Sequence, residues 1–335
     1  MTRRGAPPRL SDVGEEAVVR RLIERTAHLY PRRSRLPHGD DAAEVEDSGL
    51  VAKIDGYSSD FSRYAWEPWS DWGWRAVVAS VSDLIAKGAK PLGVLVSLGM
   101  RGDSEVSVLD EIYDGVVEAC EAHDLLFLGG DVNASSERAW INVAALGRAK
   151  RPVPRNGARP GDALFTTLKN GYGLTGLVWE LHKRGLDPRG ALSELPRLRP
   201  RAPLEFLELL EELEVTSSVD VSDGLAKSLR LIAEASGVDV LIDELPAPRE
   251  EVARLVEEAG LSYEVCALYG GEEYETLFTS SNDVDEVLRA CRRAGLECAA
   301  LGVVVEASAT PSVRWRSSMA EIEGRGYDQF RREIA

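Results

Sequence analysis

Apolar positions along this chain alternate between a helical period and short continuous runs, and the runs repeatedly stop at an aspartate. Over residues 11–29, Val18, Val19, Leu22, Ile23, Thr26 and Leu29 fall at helical spacing, with Ser11 or Asp12 placed to cap the first turn. Pro31, Pro37 and Gly39 then break the chain into a loop that closes on Asp40-Asp41. Residues 50–54 predict a short strand ending at Asp55, and residues 70–87 predict a helix. That helix turns Trp74, Val77, Val78, Val81, Leu84 and Ile85 inward, carries Asp83 in its last turns and stops at Gly88. A buried strand over 92–98 and a helix over 105–122 follow. Next comes a strand over 125–128 that runs into Gly129-Gly130-Asp131, and then an alternating strand over 140–146.

Between 149 and 162 the composition shifts to prolines, glycines and basic residues, which predicts a boundary between a domain spanning 1–150 and one spanning 151–335. Beyond it the pattern predicts a strand over 163–167, a glycine-rich turn at 171–176 and a helix to about Arg184. A proline-rich link at 196–203 leads to a further helix, then a strand over 217–221 and a helix over 224–236. Strands and helices alternate in both halves, so the fold class is α/β or α+β.

A chain of 335 residues with 44% hydrophobic and 29% charged residues is long enough for two cores and balanced for a folded, water-facing protein. No apolar run approaches the roughly 18 residues that a membrane span requires. No apolar stretch follows the basic Met1-Thr2-Arg3-Arg4, so no signal peptide is expected. A net charge of −16 argues against nucleic acid or an anionic membrane surface as a partner. Cys120, Cys266, Cys291 and Cys298 are scattered without a metal-binding spacing, as expected of reduced thiols in a cytoplasmic protein.

The acidic residues carry the chemistry. Gly39-Asp40-Asp41, Ile54-Asp55-Gly56, Val81-Ser82-Asp83, Gly129-Gly130-Asp131 and Asp220-Val221-Ser222-Asp223-Gly224 each close an apolar segment, and Gly270-Gly271-Glu272-Glu273 adds a late pair. Any one such aspartate is commonly a turn residue or cap, and Asp223 before a helix is an ordinary cap candidate. Their recurrence points instead to hard divalent cations, which carboxylates at strand ends and turns hold well. Like charges about 4 Å apart interact by roughly 4 kcal/mol at an effective dielectric near 20, so a protein this acidic needs cations to hold phosphates. No P-loop pattern is present. Gly171-Tyr172-Gly173-Leu174-Thr175-Gly176 matches a dinucleotide spacing but lacks its acidic partner, so a plain strand-to-helix turn is favoured and a phosphate seat at a helix N-terminus is the milder option. His38 reads as a solvated loop residue, and His28, His123 and His182 as helix residues without partners. No nucleophile–base pair is legible, and no general base is assigned. Trp66, Trp69, Trp72 and Trp74 form an aromatic patch suited to core or subunit-interface packing more than to substrate stacking.

In their order and spacing these motifs resemble the thiamine-monophosphate kinases, a branch of the superfamily that includes aminoimidazole ribonucleotide synthetase and selenophosphate synthetase. The resemblance covers Gly39-Asp40-Asp41-Ala42-Ala43, the stretch 74–91, Gly129-Gly130-Asp131, residues 155–162, Asp220-Val221-Ser222-Asp223-Gly224-Leu225 and Gly270-Gly271-Glu272-Glu273-Tyr274-Glu275. It closes with Gly326-Tyr327-Asp328-Gln329-Phe330. It implies a two-domain aminoimidazole ribonucleotide synthetase-like fold, with mixed sheets and helices on one face, and a homodimer whose interface borders the nucleotide site. It implies several Mg²⁺ ions on Asp41, Asp55, Asp83, Asp131, Asp220 and Asp223, with ATP contacts at Gly130, Asp131, Arg155 and Ser222. Glu272 and Tyr327 are implied to touch thiamine monophosphate, which ATP would phosphorylate to the diphosphate.

Two departures lie on the acceptor side. The family's Ser-Thr before Asp55 is replaced by Lys53-Ile54, so that Lys53 either supplies a charge in place of one ion or points away. The family's G-x-H-F histidine is absent from Gly56-Tyr57-Ser58-Ser59-Asp60-Phe61. A sister enzyme with another phosphate, amide or carboxylate acceptor is the alternative, and a non-catalytic nucleotide-binding regulator is a further one. The absence of an N-terminal-loop cysteine disfavours selenophosphate synthetase. The ending Glu333-Ile334-Ala335 disfavours the hydrogenase-maturation relative.

Overall fold

The computed structural model describes residues 8–330; the readings made on the first seven residues and on Glu333-Ile334-Ala335 lie outside that range. The first predicted helix is divided. Gly14, at φ +80°, separates α1 (Leu10–Val13) from α2 (Glu15–Thr26), and Asp12 accepts from Arg9 N at 2.7 Å within α1.

The first sheet is built from β1 (Ala43–Glu44), β2 (Leu50–Ser58), β3 (Lys90–Met100), β4 (Leu126–Ala134) and β5 (Ala139–Arg148), in the order β1-β2-β5-β3-β4. After the single-turn α3 (Ser59–Ser62) come α4 (Trp69–Ala86) and α5 (Val106–Ala122), which share one face of this sheet. Only β3 and β4 are parallel, and α5 is the crossover that such a pair needs. Every residue of α4 except Ser70 is buried, because the helix is covered on all sides; it is mostly apolar or small-sided, and its buried charges Asp71, Arg75 and Asp83 are ion-paired. Gly115 sets its distance from α5: a Cβ there would lie 1.8 Å from Ser70 O.

Strands β2 and β4 run through Asp55 and through Gly129-Gly130-Asp131 instead of ending at them. The backbone at these positions is in the ladder, with Asp55 opposite Val143 and Asp131 opposite Ser97, so aspartate and glycine are carried by pairing in spite of low strand propensity. The opposite face of this sheet is uncovered. It carries Ile54, 64% exposed, in register through Ala144 with Leu95.

The second sheet contains β6 (Ala163–Thr167), β7 (Val215–Asp220), β8 (Val238–Ile242), β9 (Thr276–Ser280), β10 (Cys298–Glu306) and β11 (Val313–Trp315), in the order β11-β8-β10-β6-β9-β7. Its helices are α6 (Leu174–Lys183), α7 (Pro188–Ala191), α8 (Phe206–Leu209), α9 (Leu225–Ser236), α10 (Glu250–Glu258), α11 (Tyr263–Tyr269) and α12 (Val284–Arg293). This sheet is covered on both faces, unlike the first. Leu164 and Leu277 pack with Leu225 and Leu229 of α9, while Phe165 and Phe278 pack with Phe206 of α8 and Val287 of α12. The second group is continuous with the core of the first domain.

Trp69, Trp72 and Trp74 are buried in that shared core, as the packing reading expects, but Trp66 lies outside it, half-buried and stacked on Tyr64 with ring centres 5.2 Å apart. His38 stacks on Tyr30, with ring centres 4.3 Å apart. His123 does have partners, lying 2.8 Å from Ala119 O and 3.1 Å from Ala202 N. All four cysteines are free, and among the described residues no helix is long and apolar enough to cross a membrane.

Candidate functional site

A cleft runs between the two domains, and the C-terminal end of α4 places its most acidic part. Lys87, just past that end, is fully buried and donates to Ser218 O of β7, while Ser218 Oγ donates back to Ala86 O. This clasp brings Asp83 of α4 beside Asp220 at the end of β7 and beside Asp41 of the loop after Pro37. Carboxylate oxygens of these three residues lie within 4.8 Å of one another. Asp55 enters from β2, with its backbone N–H 3.2 Å from Ser80 Oγ.

The charges are arranged unevenly. Asp40 is buried and fully engaged, pairing with Lys87 Nζ at 2.8 Å and accepting from the Arg155 and Asp41 N–H groups at 2.9 and 2.8 Å. It fixes the loop. Asp41 pairs with Lys87 Nζ at 2.8 Å and with Arg155, and these cations outweigh burial and hold its carboxyl well below the usual range. Asp220 receives only hydroxyl bonds, from Ser82 at 3.1 Å and Ser222 at 3.4 Å. Burial and then the Asp41 charge push Asp220 up to about 7. Asp83 is likewise raised well above its usual range, by burial and by Asp220. Three converging buried carboxylates, two of them driven toward protonation, form a donor set short of positive charge. The oxygens and their spacing suit a hard divalent cation.

Lys53 points inward and not away from the site. Its Nζ lies 2.7 Å from Asp83 and 3.3 Å from Asp55. Asp223 does not cap α9. That position belongs to Gly224, at φ +105°, and Asp223 instead faces the cleft and pairs with Lys227 at 2.6 Å. Ser222 and Arg155 also line the cleft. Gly130 and Asp131 do not. Asp131 accepts from Asn133 at 2.8 Å on the uncovered face of the first sheet. The N-terminus of α6 is no phosphate seat, because Thr175 and the Gly173 N–H already bind the buried carboxylate of Glu273.

The other end of the cleft is aromatic. Tyr327 meets Trp179 edge-on at 5.9 Å, and His182 lies 5.8 Å from Trp179 and 5.4 Å from Tyr64. Glu272 is held there by Arg75 and by Tyr57 OH at 2.6 Å. Arg75 also makes a two-pronged pair with Glu67, both bonds at 2.8 Å, and is almost wholly buried. Burial and the neighbouring Glu272 keep Tyr57, Tyr64 and Tyr274 neutral. Sequence reasoning missed Tyr57, Trp179 and His182 in this pocket and Arg75 buried behind Glu272. Tyr57 directly precedes Ser58, which takes the place of the missing histidine, and Trp179 and His182 of α6 are brought in only by the fold.

The family models for the N-terminal and C-terminal domains of AIR synthase related protein match residues 39–149 and 159–313. The thiamine-monophosphate kinase of Pyrobaculum calidifontis is 36% identical over 246 residues, covering 73% of this chain and 78% of that one. This chain belongs to the thiamine-monophosphate kinase family. The corresponding enzyme of Aquifex aeolicus is 35% identical over 210 residues, covering 62% of this chain and 68% of that one. Among solved structures, AaThiL complexed with AMPPCP and TMP superposes with a TM-score of 0.80 at 27% identity, covering 97% of this chain and all of that one. A crystal structure from Thermus thermophilus gives the same TM-score at 31% identity, with 94% and 100% covered. The hydrogenase maturation protein HypE shares the fold, with a TM-score of 0.67 at 20% identity.

Proposed function

We propose that this family member transfers the γ-phosphoryl group of ATP to the phosphate of thiamine monophosphate, giving thiamine diphosphate and ADP. The observation that carries this reading is the division of one cleft into a carboxylate end and an aromatic end. Asp41, Asp55, Asp83 and Asp220 would hold Mg²⁺, with Asp223 at the rim, and the ions would supply charge neutralisation for the polyphosphate. Arg155 and Ser222 line the cleft on the nucleotide side. At the far end, Tyr327, Trp179 and Tyr64 line the cleft together with Glu272, a setting that suits a cationic heteroaromatic ring. The acceptor oxygen is already anionic, so attack on the γ-phosphorus needs no general base. The chain's contribution is alignment and a fixed field. With Mg²⁺ present, ADP release is expected with thiamine monophosphate and not with phosphate monoesters that lack a cationic heteroaromatic ring. Equal release across a panel of phosphorylated acceptors would favour a sister enzyme.

The site is completed by a second copy in this reading. Asp55 and Asp131 sit on β2 and β4, three strand spacings apart, or about 14 Å. They also occupy opposite faces. Asp55 shares a row with Val143 and Val96, toward α4, and Asp131 shares one with Ser97 and Asn142, on the uncovered side. One chain therefore cannot place both on one ion. The uncovered face, with Ile54 and Leu95, and the edge strand exposing Leu126 and Phe127 support a homodimer formed there. Such a dimer would offer Gly130 and Asp131 of the partner subunit to each cleft. Asp131→Asn and Asp220→Asn proteins, each inactive alone, are expected to regain roughly a quarter of wild-type activity when dissociated and re-associated together. No recovery would return Asp131 to its own chain. We place the enzyme in the cytoplasm on the strength of its four free thiols.

A further inference from the structure

We infer that Lys53 is a resident cation of the metal centre, its ammonium filling the place between Asp55 and Asp83 that a divalent ion would otherwise take. This rests on the carboxylate cluster being the metal site. Lys53 and Asp55 are two apart on β2 and so project from the same face, toward α4. The stem therefore runs beside the very carboxylate it pairs with, and Nζ ends 3.3 Å from Asp55 Oδ1 and 2.7 Å from Asp83 Oδ2.

An ion bridging these same two oxygens would sit about 2.1 Å from each, in space that the ammonium now occupies. A divalent ion and an ammonium cannot share that volume. Lysine is suited to the role because its charge is a compact point on a long stem, with three donors for surrounding oxygens. The local charges agree with it. Among the described residues, the cations paired with Asp40, Asp41, Asp55 and Asp83 are Lys53, Lys87 and Arg155, and Asp220 has no ion pair of its own. Lys87 and Arg155 make their ion pairs with Asp40 and Asp41, so among the described residues Lys53 is the cation that ion-pairs with Asp55 and Asp83.

The consequence is a difference in ion count. With Lys53 present, the nucleotide complex binds one divalent cation fewer per site than with a neutral side chain at this position. The test counts Mn²⁺ bound per site by electron paramagnetic resonance, in the presence of the non-hydrolysable analogue AMPPCP. Wild type is compared with Lys53→Ser, Lys53→Gln and Lys53→Arg. Both neutral variants are expected to bind one Mn²⁺ more than wild type, and Lys53→Arg the wild-type number. The glutamine variant preserves bulk and keeps the comparison open if the serine variant is poorly folded. Equal counts in wild type and a folded neutral variant overturn the inference and leave the metal reading standing. An absence of Mn²⁺ binding in wild type and variants alike overturns both.

Discussion

Asp220→Asn is expected to lower phosphoryl transfer on the order of 10²–10³-fold, the usual cost of losing one preorganised charge-stabilising group, while leaving the metal-free protein at least as stable as wild type. The two effects have opposite signs for one reason. Asp220 is buried, close to Asp41, and bonded only to hydroxyls. Its folded-state pKa of about 7 exceeds the ordinary aspartate value near 3.9. Between about pH 4 and pH 7 the native state therefore keeps a proton that the unfolded chain has released. Metal-free stability falls across this window as the pH rises, and the contribution of this group is least favourable above pH 7. Asparagine resembles the protonated acid, so wild type and variant are expected to have similar melting temperatures near pH 4, with the variant ahead near pH 8. Adding Mg²⁺ and ATP analogue is expected to reverse the order, because a ligand bound only to the native state stabilises it and the variant lacks one of the carboxylates proposed to hold the metal. Near-normal turnover by Asp220→Asn would remove it from the metal centre.

Arg75→Met carries the second large effect, on stability. The guanidinium is almost wholly buried between Glu67, also buried, and Glu272 at the cleft wall. Removing it leaves the buried Glu67 carboxylate with the Tyr64 N–H at 3.2 Å but no opposite charge, a loss that typically costs about 3–5 kcal/mol. The Glu67→Gln, Arg75→Met double variant leaves no stranded charge there and is expected to recover a good part of the loss. The acceptor side suffers as well. Glu272 and Tyr274 adopt left-handed backbone conformations, at φ +64° and +52°, which non-glycine residues hold only when their surroundings enforce them. Arg75 and Tyr57 are the side chains that enforce the Glu272 position. The KM for thiamine monophosphate is therefore expected to rise in the double variant with that for ATP little changed. Wild-type melting of Arg75→Met by thermal denaturation would show that the triad is not the support described.

Much of the architecture was legible because its signals are local. The long helix carrying Asp83 announces itself by periodicity and by Gly88, and the strand at 163–167 by its apolar run. The division of α1 from α2 at Gly14 is also local but was overlooked, since the apolar spacing continues across it. Recurrence of aspartates at the ends of apolar segments located Asp41, Asp83 and Asp220, which the fold brings together. The same pattern could not separate them from Asp131, because the face and strand of a sheet on which a residue falls depend on pairing order. Arg75 was passed over as one polar residue in an apolar helix, although a charge in such a setting needs a buried partner. His182 and Trp179 reach the cleft only through the packing of α6 beside it.

Helix α4 belongs to both halves of the chain. The chain has two sheets and an evident seam near residue 150, yet this helix is enclosed on every side and its apolar contacts run without interruption into Phe165, Phe206 and Phe278. At its end, Lys87 and Ser218 hold the two halves through backbone carbonyls. A cut at the seam would uncover greasy flank on both fragments. The two lobes are thus parts of a single melting unit, and the two-piece plan survives in the topology but not in the thermodynamics.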